Sequence, residues 1–256
     1  MNPHGPLILL ADSETNVIAY IMLIAGPLLA ALFFYLWRKT KRTRDLMSTT
    51  ETSPIGQLAA GPAEVRGRTA PSEEPLISPW RQQQCVHYCF HVQQRRSSTN
   101  SKGHTSHHWV TYIKDEKTLP FLVKDETGQA VVDSSKIKFV INQDRFSRSG
   151  LMNDADTDLQ QLLETRYNKK TEGWMFNKTL KYTETALELD EEVYVFGDAS
   201  RLGGGWVLRD GEMPLIVSDK GGAAIEKSFS TRVVVFGVLA LVFAAVGCGG
   251  AYMLVN

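Results

Sequence analysis

The segment Cys85-Val86-His87-Tyr88-Cys89-Phe90-His91 places a thiol or an imidazole at every second position. Thiolate sulfur and neutral imidazole nitrogen are zinc ligands. On a β-strand, alternate side chains share a face. Cys85, His87, Cys89 and His91 would then project together, about 6.6 Å between successive members. Val86, Tyr88, Phe90 and Val92 would point the other way, into a core. A flat strand cannot wrap four ligands around one ion, so at most two of the four would hold a zinc ion. The remaining ligands would come from His104, His107 and His108, in a Ser/Thr/Gly-rich stretch read as a loop that folds back. The competing reading is a half-exposed strand face with reduced thiols, as suits a cytoplasmic domain.

Other constellations point to structure rather than chemistry. Asp154, Asp156 and Asp158 imitate the start of a calcium loop. Position six would be Leu159 instead of Gly and position twelve Thr165 instead of Glu, so helix capping explains these carboxylates better. Gly203–Gly205 is followed neither by Lys-Ser/Thr nor by a helix, and reads as a tight hairpin turn. No G-x-S-x-G marks a nucleophilic serine. A nucleophilic cysteine would have to be Cys85 or Cys89, and lone strand cysteines are mostly structural. Asp190, Glu191 and Glu192 read as a solvated turn, and Trp174 and Phe176 as core. No catalytic residue and no organic cofactor is expected.

These residues sit in a segment dominated by short strands. Cys85–Gln94, Trp109–Lys114, Ile137–Ile141, Lys181–Leu187, Glu192–Gly197, Trp206–Leu208 and Leu215–Val217 carry strand patterns. Phe121–Lys124 and Ala130–Asp133 flank a turn with Gly128 and read as a hairpin. One helix interrupts the run: Leu159, Leu162, Leu163 and Tyr167 keep helical spacing behind an N-cap at Asp156 or Thr157. The expectation is an α+β fold, a mainly antiparallel β domain over 63–218 with one inserted helix.

Both ends of the chain are apolar. Val17–Trp37 contains no charged residue, and its length of 21 residues covers roughly 30 Å, the hydrocarbon thickness of a bilayer. Residues 233–255 form a second such stretch. Pro27 is tolerated within a membrane helix. A cleaved signal peptide fits the first stretch poorly, because Asp12 and Glu14 stand where basic residues belong. The resulting division is an outer tail 1–16, a transmembrane helix 17–37, a basic and then Ser/Thr/Pro-rich linker 38–62, the domain 63–218, a juxtamembrane linker 219–232, and a transmembrane helix 233–255. Arg38, Lys39, Lys41, Arg42 and Arg44 follow the first span, and Lys220, Lys227 and Arg232 precede the second. The positive-inside rule puts the central domain in the cytoplasm and both termini outside. Gly26 and Ala30, and Ala240, Ala244 and Cys248, recur at four-residue spacing. Such spacing suits close packing of the spans on each other or on another chain.

Composition narrows the partners. Lys+Arg 28 against Asp+Glu 28 gives no net charge, so no nucleic acid is expected. The expected partners are the lipid bilayer and a membrane-proximal protein or ligand. Three Cys cannot build a disulfide scaffold.

Ser78-Pro79 ahead of Cys85-Val86-His87-Tyr88, Phe121-Leu122-Val123-Lys124-Asp125 with Gly128, and Thr183-Glu184 followed by Leu187, Val193-Tyr194-Val195 and Gly197 form an ordered set ahead of a membrane span. Together they resemble the GIDE family, also called the beside-a-membrane domain, over roughly residues 63–255. The family includes MULAN-type mitochondrial membrane E3 ubiquitin ligases. The resemblance implies a β-rich domain beside a membrane, a mitochondrial membrane if the cell is eukaryotic, and ubiquitin transfer through a RING finger. A RING needs eight Cys/His ligands for two zinc ions. These 256 residues hold three Cys and no C-x-x-C, so the ligase chemistry does not carry over onto residues of this sequence.

Overall fold

The computed structural model describes residues 5–141, 145–148, 157–169 and 179–255. It divides into two compact units, 1–49 with 222–256, and 50–221.

The first helix, α1 (Gly5–Thr49), continues past Trp37 through the basic residues read above as the start of a linker. From Arg38 to Thr49 there is neither Gly nor Pro, and Lys, Arg, Leu and Met are good helix formers, so nothing stops it. After a 3-10 turn at Ile55–Gln57 come β1 (Gly61–Pro71), β2 (Leu76–Ile77), β3 (Gln84–Thr99) and β4 (Thr105–Thr118). Next are β5 (Phe121–Lys124), β6 (Gln129–Val132), β7 (Lys138–Val140) and β8 (Arg145–Arg148). The helix α2 (Thr157–Tyr167) interrupts the strands as expected, and β9 (Leu180–Glu188), β10 (Glu192–Leu202), β11 (Gly205–Arg209) and β12 (Ile216–Ser218) complete them. The last helix, α3 (Gly222–Val255), begins ten residues before Arg232, inside the stretch read as a second linker, where Ala223, Ala224, Glu226 and Lys227 are good helix formers and no Pro intervenes. Asp154, Asp156, Trp174 and Phe176 lie outside the described residues.

In the unit 50–221, β1, β5, β6, β11 and β10 pair in a closed circuit, antiparallel except for β6 with β11, and β12 and β7 extend it from β10. Val65, Phe121, Val123, Val132, Val195 and Leu208 are fully buried inside this circuit. The second sheet runs β4-β3-β9-β8, with β2 against the start of β3. One face of it carries Phe90, Val92, Leu180 and Tyr182, covered by Leu159 and Leu163 of α2. The β5–β6 hairpin owes its turn to Asp125, which accepts hydrogen bonds from the amides of Thr127 (2.7 Å) and Gly128 (2.9 Å) and from the amide of Ile55 (2.8 Å). Burial pulls the Asp125 carboxyl up, but these bonds outweigh it and hold it below its ordinary value.

In the other unit α1 and α3 pack directly. A Cβ on Gly26 would lie 2.6 Å from the Gly247 amide nitrogen, and one on Gly250 2.7 Å from that of Leu23. Only glycine permits this approach. Phe33 stacks on Phe243 with ring centroids 5.4 Å apart. Gly26 therefore serves helix contact as its spacing suggested. On α3 the contact stripe is Phe243, Gly247 and Gly250, whereas Ala244 and Cys248 are exposed on another face.

Candidate functional site

β3 is sixteen residues long and pairs with β4 along one edge and β9 along the other. Its register against β9 shifts between Cys85 and His87: Cys85 opposes Glu188, whereas His87 already opposes Leu187. This β-bulge inserts one extra residue and reverses the alternation. Cys85 is thereby turned onto the face of Tyr88 and Ala186, where it is fully buried with Leu76 packed against the cluster. His87, Cys89 and His91 stay on the opposite face, with Leu187, Thr185 and Thr183. The four-residue ligand set read from strict alternation is thus split by the bulge.

The three that remain together are engaged separately. His87 is buried, its ring stacks on Phe139 with centroids 3.6 Å apart, and Nδ1 lies 2.8 Å from the Thr118 hydroxyl. Burial pushes the His87 pKa down to about 4. The Nε2 of His91 lies 3.0 Å from the Thr111 hydroxyl. Burial raises the Cys89 thiol, with the Glu116 carboxylate adding to it. Burial also pushes Cys85 up to about 12, reinforced by the Glu184 and Glu188 carboxylates. A raised thiol pKa lowers the thiolate fraction and with it the nucleophilicity.

His104 lies between the two strands, and His107 and His108 belong to β4 itself rather than to a folded-back loop. His107 opposes Ser97 and His108 opposes Arg96. Ser97 is six residues beyond His91, so His107 lies roughly 20 Å further along the ribbon. Among the described residues no three His, Cys, Asp or Glu side chains converge so as to hold a metal ion.

Two polar centres that residue patterning missed fix the root of the ribbon. Glu184, fully buried on β9, accepts hydrogen bonds from the backbone amides of Trp80 (2.6 Å) and Arg81 (2.9 Å). Arg81 also pairs with Glu188. The Thr183-Glu184 motif therefore bonds, through Glu184, to the two residues that follow Ser78-Pro79. Asp115 on β4 accepts from the Tyr167 hydroxyl (2.7 Å), the Tyr88 hydroxyl (3.2 Å) and the Arg166 guanidinium (3.2 Å). This ties α2 to the sheet. Burial pushes the Tyr88 hydroxyl up to about 12, with Asp115 adding to it and Arg166 opposing, and Tyr167 is raised likewise. No local spacing announces either centre, because the partners are up to 104 residues apart.

Beyond Gln94 the β3–β4 ribbon leaves the body. Every residue from Arg95 to Trp109 is exposed. Between Gln93 and Lys114 the sequence contains no Asp or Glu. Arg95 opposes Trp109 and Arg96 opposes His108 across the strands. A separate open groove beside β1 and β5 has mixed charge. Its Arg66 donates to Glu192 at 2.6 Å and its Arg68 lies 3.3 Å from Asp190, so both of its arginines are already matched.

An α+β domain of two mostly antiparallel sheets, joined at each end to a long apolar helix, defines the class. The GIDE family, described as E3 Ubiquitin ligase, matches residues 91–252, well over half of the sequence, and the chain belongs to that family. The match starts within β3 and runs into α3. No curated protein and no solved structure matches the chain.

Proposed function

We propose that this chain is a two-pass integral membrane protein that holds its GIDE domain beside the bilayer as a binding module for a membrane-proximal protein or ligand. One observation carries the reading. Both ends of the unit 50–221 lead into helices that are apolar and long enough to span a bilayer, with mean hydropathy 2.5 in each. Double tethering raises the effective concentration toward anything else in that membrane. The buried Cys85 thiol, whose pKa burial raises, and the polar centres engaged within the fold favour binding over covalent chemistry. The basic residues after the first apolar stretch and before the second favour a cytoplasmic central domain with both termini outside. In a eukaryotic cell the family favours a mitochondrial membrane.

Alkaline carbonate extraction tests the anchoring: the protein stays in the pellet, and recovery in the detergent-free supernatant overturns the reading. A reporter inserted at residue 60 is expected to be active on the cytoplasmic side only, and an externally active reporter reverses the orientation.

The family's description favours a second reading, participation in ubiquitin transfer. Its RING would lie outside these 256 residues. Autoubiquitination of the purified protein with activating and conjugating enzymes alone would place the activity in this chain and displace the binding-module reading.

A further inference from the structure

We propose that the projecting end of the β3–β4 ribbon is a docking arm for anionic phospholipid headgroups. The proposal rests on the membrane-anchored reading above and adds to it a surface and a ligand. The arm carries Arg95, Arg96 and Lys102 together with His107 and His108, all exposed, and no acidic residue from Gln93 to Lys114. Against a chain with equal numbers of acidic and basic residues, this is a local excess of one sign. Charged residues on exposed strands ordinarily guard against edge-to-edge pairing. That role is served by either sign and does not require an exposed aromatic. Trp109, 36% exposed, stands opposite Arg95. An indole beside a guanidinium is the pairing favoured at the lipid–water interface, where the ring sits among headgroups and the cation meets phosphate.

The tether limits how far the arm can lie from lipid. Eleven residues separate the end of α1 from β1, and three separate β12 from α3. The helical segment past Trp37 adds about 18 Å, and the arm from Gln94 to Thr99 extends about 20 Å. A weak electrostatic contact is sufficient at such range, because the tether has already met most of the cost of association. Cations near an anionic leaflet add their effects, and the attraction is screened within a Debye length.

Hydrogen exchange of the full-length protein in lipid nanodiscs tests this. Pure phosphatidylcholine discs are compared with discs containing about a third phosphatidylserine. The expected result is at least about fivefold slower exchange of amides 95–109 in the anionic discs, the factor that one cation near an anionic surface contributes. The difference is expected to vanish at high salt, and in the R95Q/R96Q/K102Q variant. Equal exchange in both discs overturns the proposal while leaving the anchoring intact, since the protein is then still in the disc. Protection by an added acidic peptide but not by phosphatidylserine overturns it too, in favour of a protein partner. Failure to reconstitute in any disc overturns the anchored reading and the docking arm with it.

Discussion

The two halves of the β3–β4 ribbon share the same strands and the same hydrogen-bond ladder, yet differ in nearly everything else. In the rooted half the buried carboxylate, the half-buried one and the buried imidazole are each engaged within the fold. Glu184 caps the amides of Trp80 and Arg81, Asp115 gathers Tyr88, Arg166 and Tyr167, and His87 stacks on Phe139. In the projecting half the side chains are exposed, and basic residues stand without acidic neighbours on the arm. The contrast separates two uses of polarity. Buried polar groups must be satisfied within the fold, and this fixes their partners. Exposed ones cost little to leave in water, so a one-signed cluster there is free to serve an external contact.

Four experiments sharpen or break this contrast. Glu184→Ala has the largest expected effect. It leaves two turn amides unpaired beside a cavity and lowers stability by about 4 kcal/mol, read from denaturant unfolding by tryptophan fluorescence. A loss under about 1 kcal/mol would mean that the turn does not depend on this carboxylate.

Acid comes next. Folded His87 stays neutral down to about pH 4, whereas the unfolded side chain takes up a proton near pH 6.5. The unfolded state binds more protons between these values, so the contribution of His87 is complete above 6.5 and is lost as pH falls toward 4. The full swing is about 3 kcal/mol. In His87→Gln this part of the pH dependence should disappear, and an unchanged slope would assign it to other groups.

A smaller effect is expected for Tyr88→Phe, which removes the hydroxyl shared between Asp115 and Arg166 and should cost about 1 kcal/mol in the same unfolding measurement. The smallest belongs to the arm. R95Q/R96Q/K102Q should leave stability within about 0.5 kcal/mol of the parent. A large loss there would show that the projecting half is structural after all.

Much of this organisation was legible in the sequence. The β5–β6 hairpin was visible from Asp125 and Gly128, α2 from the spacing of Leu159, Leu162, Leu163 and Tyr167, and the two apolar helices from uninterrupted hydropathy. Each is a local signal in which periodicity or a turn residue acts on its immediate neighbours. The length of β3 and β4 was underestimated, because Arg95–Ser106 is polar on both faces and shows no alternation. What makes it a ribbon is cross-strand pairing, not burial. The helix ends ran beyond the apolar segments because backbone propensity does not stop where hydropathy does.

The candidate metal set marks the boundary of such reasoning. Alternation places Cys85, His87, Cys89 and His91 on one face, and a single bulge sends Cys85 to the other. A bulge reflects how β3 fits against β9, about a hundred residues away, and no property of the local segment encodes it. The sequence by itself determined where chain is apolar, where it turns, and which segments alternate, because these depend on neighbours within a few residues. Only the tertiary structure decided which side chains share a face, which buried charges meet, and which basic residues remain open to solvent. Those outcomes follow from long-range pairing and from the requirement that enclosed polar groups find partners.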